Sequence, residues 1–186
     1  MKELLVDYIP SPIGQIVIVV DGDRLCSLDF EDYSERMMRL LRRRYVEFRL
    51  TQVADPHGFS TLINRYFAGD YGSLATIPVQ TGGTPFQQEV WSALRGIPVG
   101  ETFAYSRLAA GIGRPSAARA VGMANSLNPV AIVLPCHRVV GCNATLTGYA
   151  GGIDRKRWLL RHEHASFSEG RSREAFSELP GNSEKS

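Results

Sequence analysis

Two apolar runs, Gln15 to Val20 and Arg24 to Phe30, are separated by Asp21-Gly22-Asp23, and after Ser34 the apolar spacing changes to that of helices. This switch of period restricts the chain to a fold with both a sheet and helices. Asp and Gly tolerate positive φ, so the two runs are expected to pair as an antiparallel hairpin. From Ser34 to Tyr45 the positions Met37, Met38, Leu40, Leu41 and Tyr45 recur near helical spacing with arginines between them, which predicts an amphipathic helix. Pro56 opens a second predicted helix running to Phe67 and ended by Ala68-Gly69-Asp70, and Ile77 to Gln80 reads as a short extended piece.

Tyr71 to Gly83, rich in Gly, Thr and Ser, reads as a link to a second unit. Thr84 is a good N-cap with Pro85 at the first helical position, and Phe86, Val90, Trp91 and Leu94 share one face. Ser106 to Ala110, the turn Gly111-Ile112-Gly113 and Pro115 to Leu127 outline a helix-turn-helix. A strand-like apolar run precedes Cys136, and a last helix is expected over Asp154 to Glu163, capped by Asp154. The fold class is therefore α/β (α+β): an N-terminal antiparallel sheet with helices over 1–78 and a mainly helical unit over 79–165. From Ala165 the apolar periodicity stops, which predicts a disordered tail over 166–186.

The chain of 186 residues, 44% hydrophobic, can bury a sizeable core, and its net charge of +2 requires any basic footprint to be local. No stretch approaches the roughly 20 apolar residues that span a bilayer, and the start lacks a secretory signal, so no membrane partner and a cytoplasmic location are expected. Three cysteines without CxxC spacing argue against a disulfide framework or a zinc ribbon. Cys26 and His57 are too sparse to make four ligands, so no metal is expected. Cys26 and Cys142 read as packing residues.

Pro135-Cys136-His137-Arg138 sets a thiol beside an imidazole. A free thiol is only a few per cent thiolate near neutrality, so a working nucleophile needs a base or a positive environment. Adjacent side chains rarely aim at one spot, so relay through water is favoured over direct contact. By itself the pair is a weak signal: a buried packing cysteine is the commoner case for such a pair, and a cysteine hydrolase would also need an oxyanion site.

The surrounding text is more specific. FQQEVWSALRGIPVGET, AYSRLAAGIGRPSAARAVGMANSLNP, PCHRV, GYAGG and RKRWLLRHE follow one another between Thr84 and Glu163. This ordered set closely resembles the C-terminal domain of the O6-alkylguanine-DNA alkyltransferase family. The resemblance implies a ribonuclease H-like N-terminal unit and single-turnover transfer of an alkyl group from O6-alkylguanine, and in some substrates O4-alkylthymine, to Cys136. It casts His137 as the base acting through water and Glu163 as the acid that orients it. Asn128 braces the turn, and Tyr105 contacts the guanine and helps to protonate it. Tyr149 and Ala150, with Val139 and Ala131, line the base pocket; many relatives carry serine in place of Ala150.

The resemblance further implies nucleotide flipping by a helix laid in the minor groove of double-stranded DNA. Arg119 is the intercalating residue. Ala118, Gly122 and Asn125 form a face of little bulk, opposite a packing stripe of Ala117, Ala120, Val121 and Ala124. Ser116 and Arg114 join the DNA contacts, and Arg138 is a further phosphate ligand. No cofactor is implied, because the substrate already carries the electrophilic carbon. The protein is expected to be a monomer in solution that can assemble cooperatively on DNA. With Cys136 present, a lesion-binding module without transfer is disfavoured, and a transcription regulator would require sequence-specific binding.

Overall fold

The computed structural model describes residues 1–169; the rest of the expected tail, 170–186, lies outside them. The hairpin forms as β2 (Ile16–Asp21) and β3 (Arg24–Phe30), with a bulge between Val19 and Val20. Two further strands join them, β1 (Lys2–Ile9) and β4 (Phe48–Gln52), in the order β3-β2-β1-β4. β1 runs antiparallel to β2 but parallel to β4, so the sheet carries one parallel pair.

β2 is buried along its whole length because both faces of the sheet are covered. Val17 and Val19 pack with Leu4, Val6 and Cys26 against Met37 and Leu41 of helix α1 (Ser34–Arg44). Ile16, Ile18 and Val20 face the other way, into a larger core. That core also takes Ile63 and Tyr66 of α2 (Phe59–Phe67), and Val90, Trp91 and Leu94 of α3 (Pro85–Leu94). The expected second helix thus begins as a 3₁₀ turn, Pro56–Gly58, in which His57 adopts a left-handed conformation, and becomes α-helical only at Phe59. The link between units is packed too: Leu74 and Ile77 are buried, and Val79 bridges Leu25.

α3 opens with the expected cap. Gln87 N donates to Thr84 Oγ1 at 3.2 Å and Thr84 N donates to Gln87 Oε1 at 2.9 Å, a reciprocal capping box. The helix-turn-helix consists of α4 (Tyr105–Gly111) and α5 (Ala118–Ser126). α5 starts three residues later than Pro115, since 115–117 form a turn in which Ala117 N bonds Arg114 O. Trp91 Nε1 donates to Ala124 O at 2.8 Å and so anchors α5 on α3.

The apolar run before Cys136 is a buried turn and not a strand. Val130 makes a single bridge to Leu28, after which Ile132 takes φ of 70°. A β-branched residue there is strained and persists only where its surroundings fix it. Asp154 does not cap α6 (Ile153–His162); Gly152 precedes the helix, and Asp154 pairs with Arg157 at 2.6 Å in its first turn. Residues 166–169, placed in the tail by the loss of apolar periodicity, are held against the 144–146 loop, where Ser168 N bonds Ala144 O at 2.8 Å.

Replacing the cap, Thr84→Ala, should cost about 1 kcal/mol. A urea melt of the variant checks this; an unchanged midpoint would show that the cap does not anchor α3.

Candidate active site

Cys136 sits in a 3₁₀ turn, Cys136–Arg138, that follows the strained 130–134 segment. Asn128 fixes this segment from both sides: its Nδ2 donates to Leu134 O at 2.8 Å, and its Oδ1 accepts from Val130 N at 3.0 Å. Asn125, the penultimate residue of α5, donates from Nδ2 to Cys136 O at 3.3 Å. The thiol is 3% exposed. Burial pushes its pKa up, opposed by a hydrogen bond with Asn128 and by the charges of Lys156 and Arg36. The resting cysteine is therefore a thiol that requires a base.

His137 is fully buried, and its Nε2 lies 2.8 Å from Glu163 Oε1. Glu163 also accepts from Arg138 Nε at 2.7 Å and from Tyr66 Oη at 2.6 Å. Burial alone would raise the Glu163 carboxyl, but the His137 ring and the Arg138 guanidinium hold it well below the usual carboxylate range. An ionised carboxylate only accepts, so Nε2 carries a proton. Burial drives the His137 pKa down, with the Glu163 charge pulling the other way. The ring is thus neutral, and its Nδ1 lone pair has no protein partner among the described residues.

Beside this chain lies a cleft of about 410 Å³ lined by Tyr105, Gly122, Asn125, Ser126, Tyr149 and Ala150, with Gly148 at its edge. Gly151 must lack a side chain for Tyr149 to sit there: a Cβ would lie 2.6 Å from the Phe30 ring and 2.8 Å from that of Tyr149. Tyr105 lies under Gly122, and its hydroxyl accepts from Thr147 Oγ1 at 3.3 Å. Ala131 and Val139 are buried outside the residues that line the cleft, Ala131 against Leu28 and Val139 paired with Phe103. Asn125 Oδ1, His137 Nδ1 and Tyr149 Oη are the buried side-chain polar atoms without a partner among the described residues, and all three belong to this region.

On the outer side of the helix-turn-helix, Arg119, Ala120, Met123 and Ser126 are exposed, as are Arg114 and Ser116 before it, while Ala118 and Gly122 are half-buried. Several expectations change here. Ala120 faces outward and does not pack. Asn125 is 6% exposed and bonded to the cysteine turn, so it belongs to the cleft and not to the outer face. Arg138 points inward to Glu163 and to Ile97 O at 2.6 Å, which removes it as a phosphate ligand. Arg114 is exposed but paired with Glu89 at 3.2 Å. Cys142 is exposed and does not pack, whereas Cys26 is buried.

Three further residues complete the site. Tyr66 reaches Glu163 from the N-terminal unit. Arg36 of α1 donates to Asp29 Oδ2 at 2.6 Å, Ser126 O at 2.8 Å and Asn128 O at 3.0 Å, tying that unit to the end of α5. Lys156, fully buried, donates to Val139 O at 2.5 Å and Thr147 O at 3.2 Å; burial lowers its pKa to about 8. A sequence signal for Lys156 exists, since 156, 159, 160 and 163 form one helical stripe, and all four are buried. For the contacts of Arg36 with the end of α5 no such signal exists, because those partners are backbone carbonyls about 90 residues away.

Residues 4–81 match the family model described as the 6-O-methylguanine DNA methyltransferase ribonuclease-like domain, and residues 85–165 match its DNA binding domain. The chain is 49% identical over 166 residues to a methylated-DNA–protein-cysteine methyltransferase of Shigella flexneri, covering 88% of this chain and 97% of that one. A Mycobacterium bovis protein of the same name is 45% identical, over 83% of this chain and 89% of its own. Among solved structures, Mycobacterium tuberculosis O6-methylguanine methyltransferase superposes with a TM-score of 0.71 at 40% identity, over 88% of this chain and 93% of that one. A Mycobacterium tuberculosis OGT in complex with DNA gives 0.73 at 41% identity, over 87% and 92%.

Acid should destabilise this site in two stages, with the same sign. His137 has a lowered folded pKa, so its stability contribution is complete above the unfolded value near 6.5 and declines as the unfolded chain takes up a proton below it. Glu163 is likewise depressed; its contribution is complete above about 4.3 and is lost as pH falls toward its folded value. Urea midpoints should therefore fall from about pH 6.5 downward and again below about 4.3, and Glu163→Gln should weaken the second fall. A flat profile between pH 7 and 5 would contradict the buried neutral imidazole.

Proposed function

Since the chain belongs to the 6-O-methylguanine DNA methyltransferase family and is a DNA-repair methyltransferase acting on methylated DNA, we propose that Cys136 is its alkyl acceptor and O6-alkylguanine its lesion. The observation that carries this reading is the chain of buried groups Glu163, His137 and Cys136 beside a cleft with unsatisfied polar atoms.

On this reading His137 Nδ1 draws the thiol proton through water, and Glu163 stabilises the imidazolium that results. The sulfur attacks the alkyl carbon in line, the carbon–O6 bond breaks with its electron pair on oxygen, and guanine gains a proton with help from Tyr105. The product is a thioether, which water does not readily cleave, so each molecule acts once.

A base stacked in duplex DNA is out of reach of a buried thiol, so the nucleotide is flipped into the cleft between Tyr105 and Tyr149. Arg119, exposed on α5, fills the gap in the stack, while Ser116, Arg114 and Ala118 approach the backbone. Residues 79–165 form the DNA-binding and acceptor unit, and 1–78 the unit that supports it through Tyr66 and Arg36. The protein acts as a monomer on each lesion.

Intact-protein mass spectrometry after mixing with a duplex containing O6-methylguanine tests this. One methyl group should appear on Cys136 by peptide mapping, and none on Cys136→Ala. Lesion binding without uptake would move the chain to non-enzymatic recognition.

A further inference from the structure

Helix α1 of the N-terminal unit carries positive charge that nothing above uses. Arg39, Arg42 and Arg43 are exposed, and none meets a carboxylate among the described residues, whereas Arg49, Arg65 and Arg161, exposed elsewhere, are each paired with one. Arg42 and Arg43 lie three and four positions beyond Arg39, a spacing at which like charges repel along a helix. The helix dipole compensates the cations of the last turn, Arg42 and Arg43, but not Arg39 one turn earlier. With Ser34, Glu35 and Met38 the three line an open groove of about 660 Å³, in which Glu35 is the one acidic group. Such a surface is complementary to an anion from outside the chain.

The position of this ridge narrows the choice of anion. Arg36 donates to Ser126 O at the end of α5, and Arg39 and Arg43 follow Arg36 by three and seven positions, on the same side of α1. Arg119 stands near the other end of α5. Seven residues of helix cover about 10 Å, so the ridge falls within about 30 Å of Arg119, less than the roughly 34 Å of one duplex turn. The helix-turn-helix itself is poor in charge. Arg114 is paired with Glu89 and Arg138 with Glu163, which leaves Arg119 as the one of these three that meets no carboxylate among the described residues. A duplex carries one charge for about every 1.7 Å of its axis, so a single arginine leaves the phosphates beside the lesion largely uncompensated.

We propose that Arg39, Arg42 and Arg43 form a second DNA-contacting surface, on the N-terminal unit, that binds backbone phosphates of the duplex flanking the lesion. The inference rests on the reading of α5 as the helix that meets DNA and adds to it a contact made by the other unit. Phosphate contacts carry no sequence information, so the ridge raises affinity for any flanking sequence and leaves lesion choice to the cleft. Arg36 fixes α1 against the end of α5, which sets the spacing between the two surfaces.

Equilibrium binding of duplexes with one central O6-methylguanine tests this, in a Cys136→Ala background that cannot consume the lesion, between about 50 and 200 mM KCl. A duplex of about 24 base pairs supplies the flank, and one of about 10 base pairs ends roughly 17 Å from the lesion. Changing Arg39, Arg42 and Arg43 together to Gln should lower the slope of log affinity against log salt on the longer duplex by about two to three, and weaken binding about tenfold or more. The loss should be smaller on the shorter duplex, and changing the same three to Lys should keep the parent slope. Removing equal charge elsewhere, by Arg49→Gln, Arg65→Gln and Arg161→Gln together, should leave the slope unchanged. An unchanged slope in the ridge variant would overturn the inference and leave the ridge to a partner other than nucleic acid. An equal fall in both charge variants would overturn it too, since net charge alone would then explain the effect. So would equal losses on the two duplexes with no rescue by Lys. Unchanged binding by Arg119→Ala would instead overturn the placement of α5 on DNA, from which the inference starts.

Discussion

The Glu163 carboxylate, 2% exposed, is the charge around which the rest of the site is arranged. A buried carboxylate is tolerated only when its oxygens are filled by donors held in place. Here the donors come from two parts of the chain, Tyr66 of α2 and the pair His137 and Arg138 of the acceptor turn, with the carboxylate itself at the end of α6. Satisfying one charge therefore docks the N-terminal unit, fixes the turn and sets the histidine tautomer together. The N-terminal unit supports the site through this contact and through Arg36, although it carries no chemical motif.

The same burial governs reactivity. The Cys136 thiol is pushed up and the His137 ring pushed down, so the pair rests neutral and the low-dielectric site holds no unpaired thiolate. In the proposed reaction, transfer of one proton from Cys136 to His137 creates an anion and a cation at once, the cation against Glu163 and the anion within reach of the Lys156 charge. Lys156 also ties the carbonyls of Val139 and Thr147, drawing the strand after the acceptor toward the loop that carries Tyr149.

Much of this was legible in the sequence where local rules and tertiary packing agree. The Asp21-Gly22-Asp23 hairpin and the Thr84 cap follow from turn and capping chemistry, which acts over a few residues. β1 escaped because Lys2, Glu3 and Asp7 dilute its alternation, and β4 because its residues are only half-buried at a sheet edge. The segment 130–134 reads as a strand by composition, yet Asn128 folds it into a strained turn through two side-chain hydrogen bonds. Arg138 and Asn125 look like surface DNA ligands by residue type. Arg138 is drawn inward by Glu163 and the Ile97 carbonyl, and Asn125 by the Cys136 carbonyl, partners that no periodicity encodes.

In the proposed mechanism His137 rests as a neutral ring with its proton on Nε2, facing Glu163, and its Nδ1 available as the base. Nitrogen-15 NMR of the histidine rings in the unalkylated protein near pH 7 measures this directly. A protonated-nitrogen signal from His137 Nε2 and an unprotonated one from Nδ1 are expected, with the pattern disturbed in Glu163→Gln. An imidazolium at that pH, or a proton on Nδ1, would contradict it.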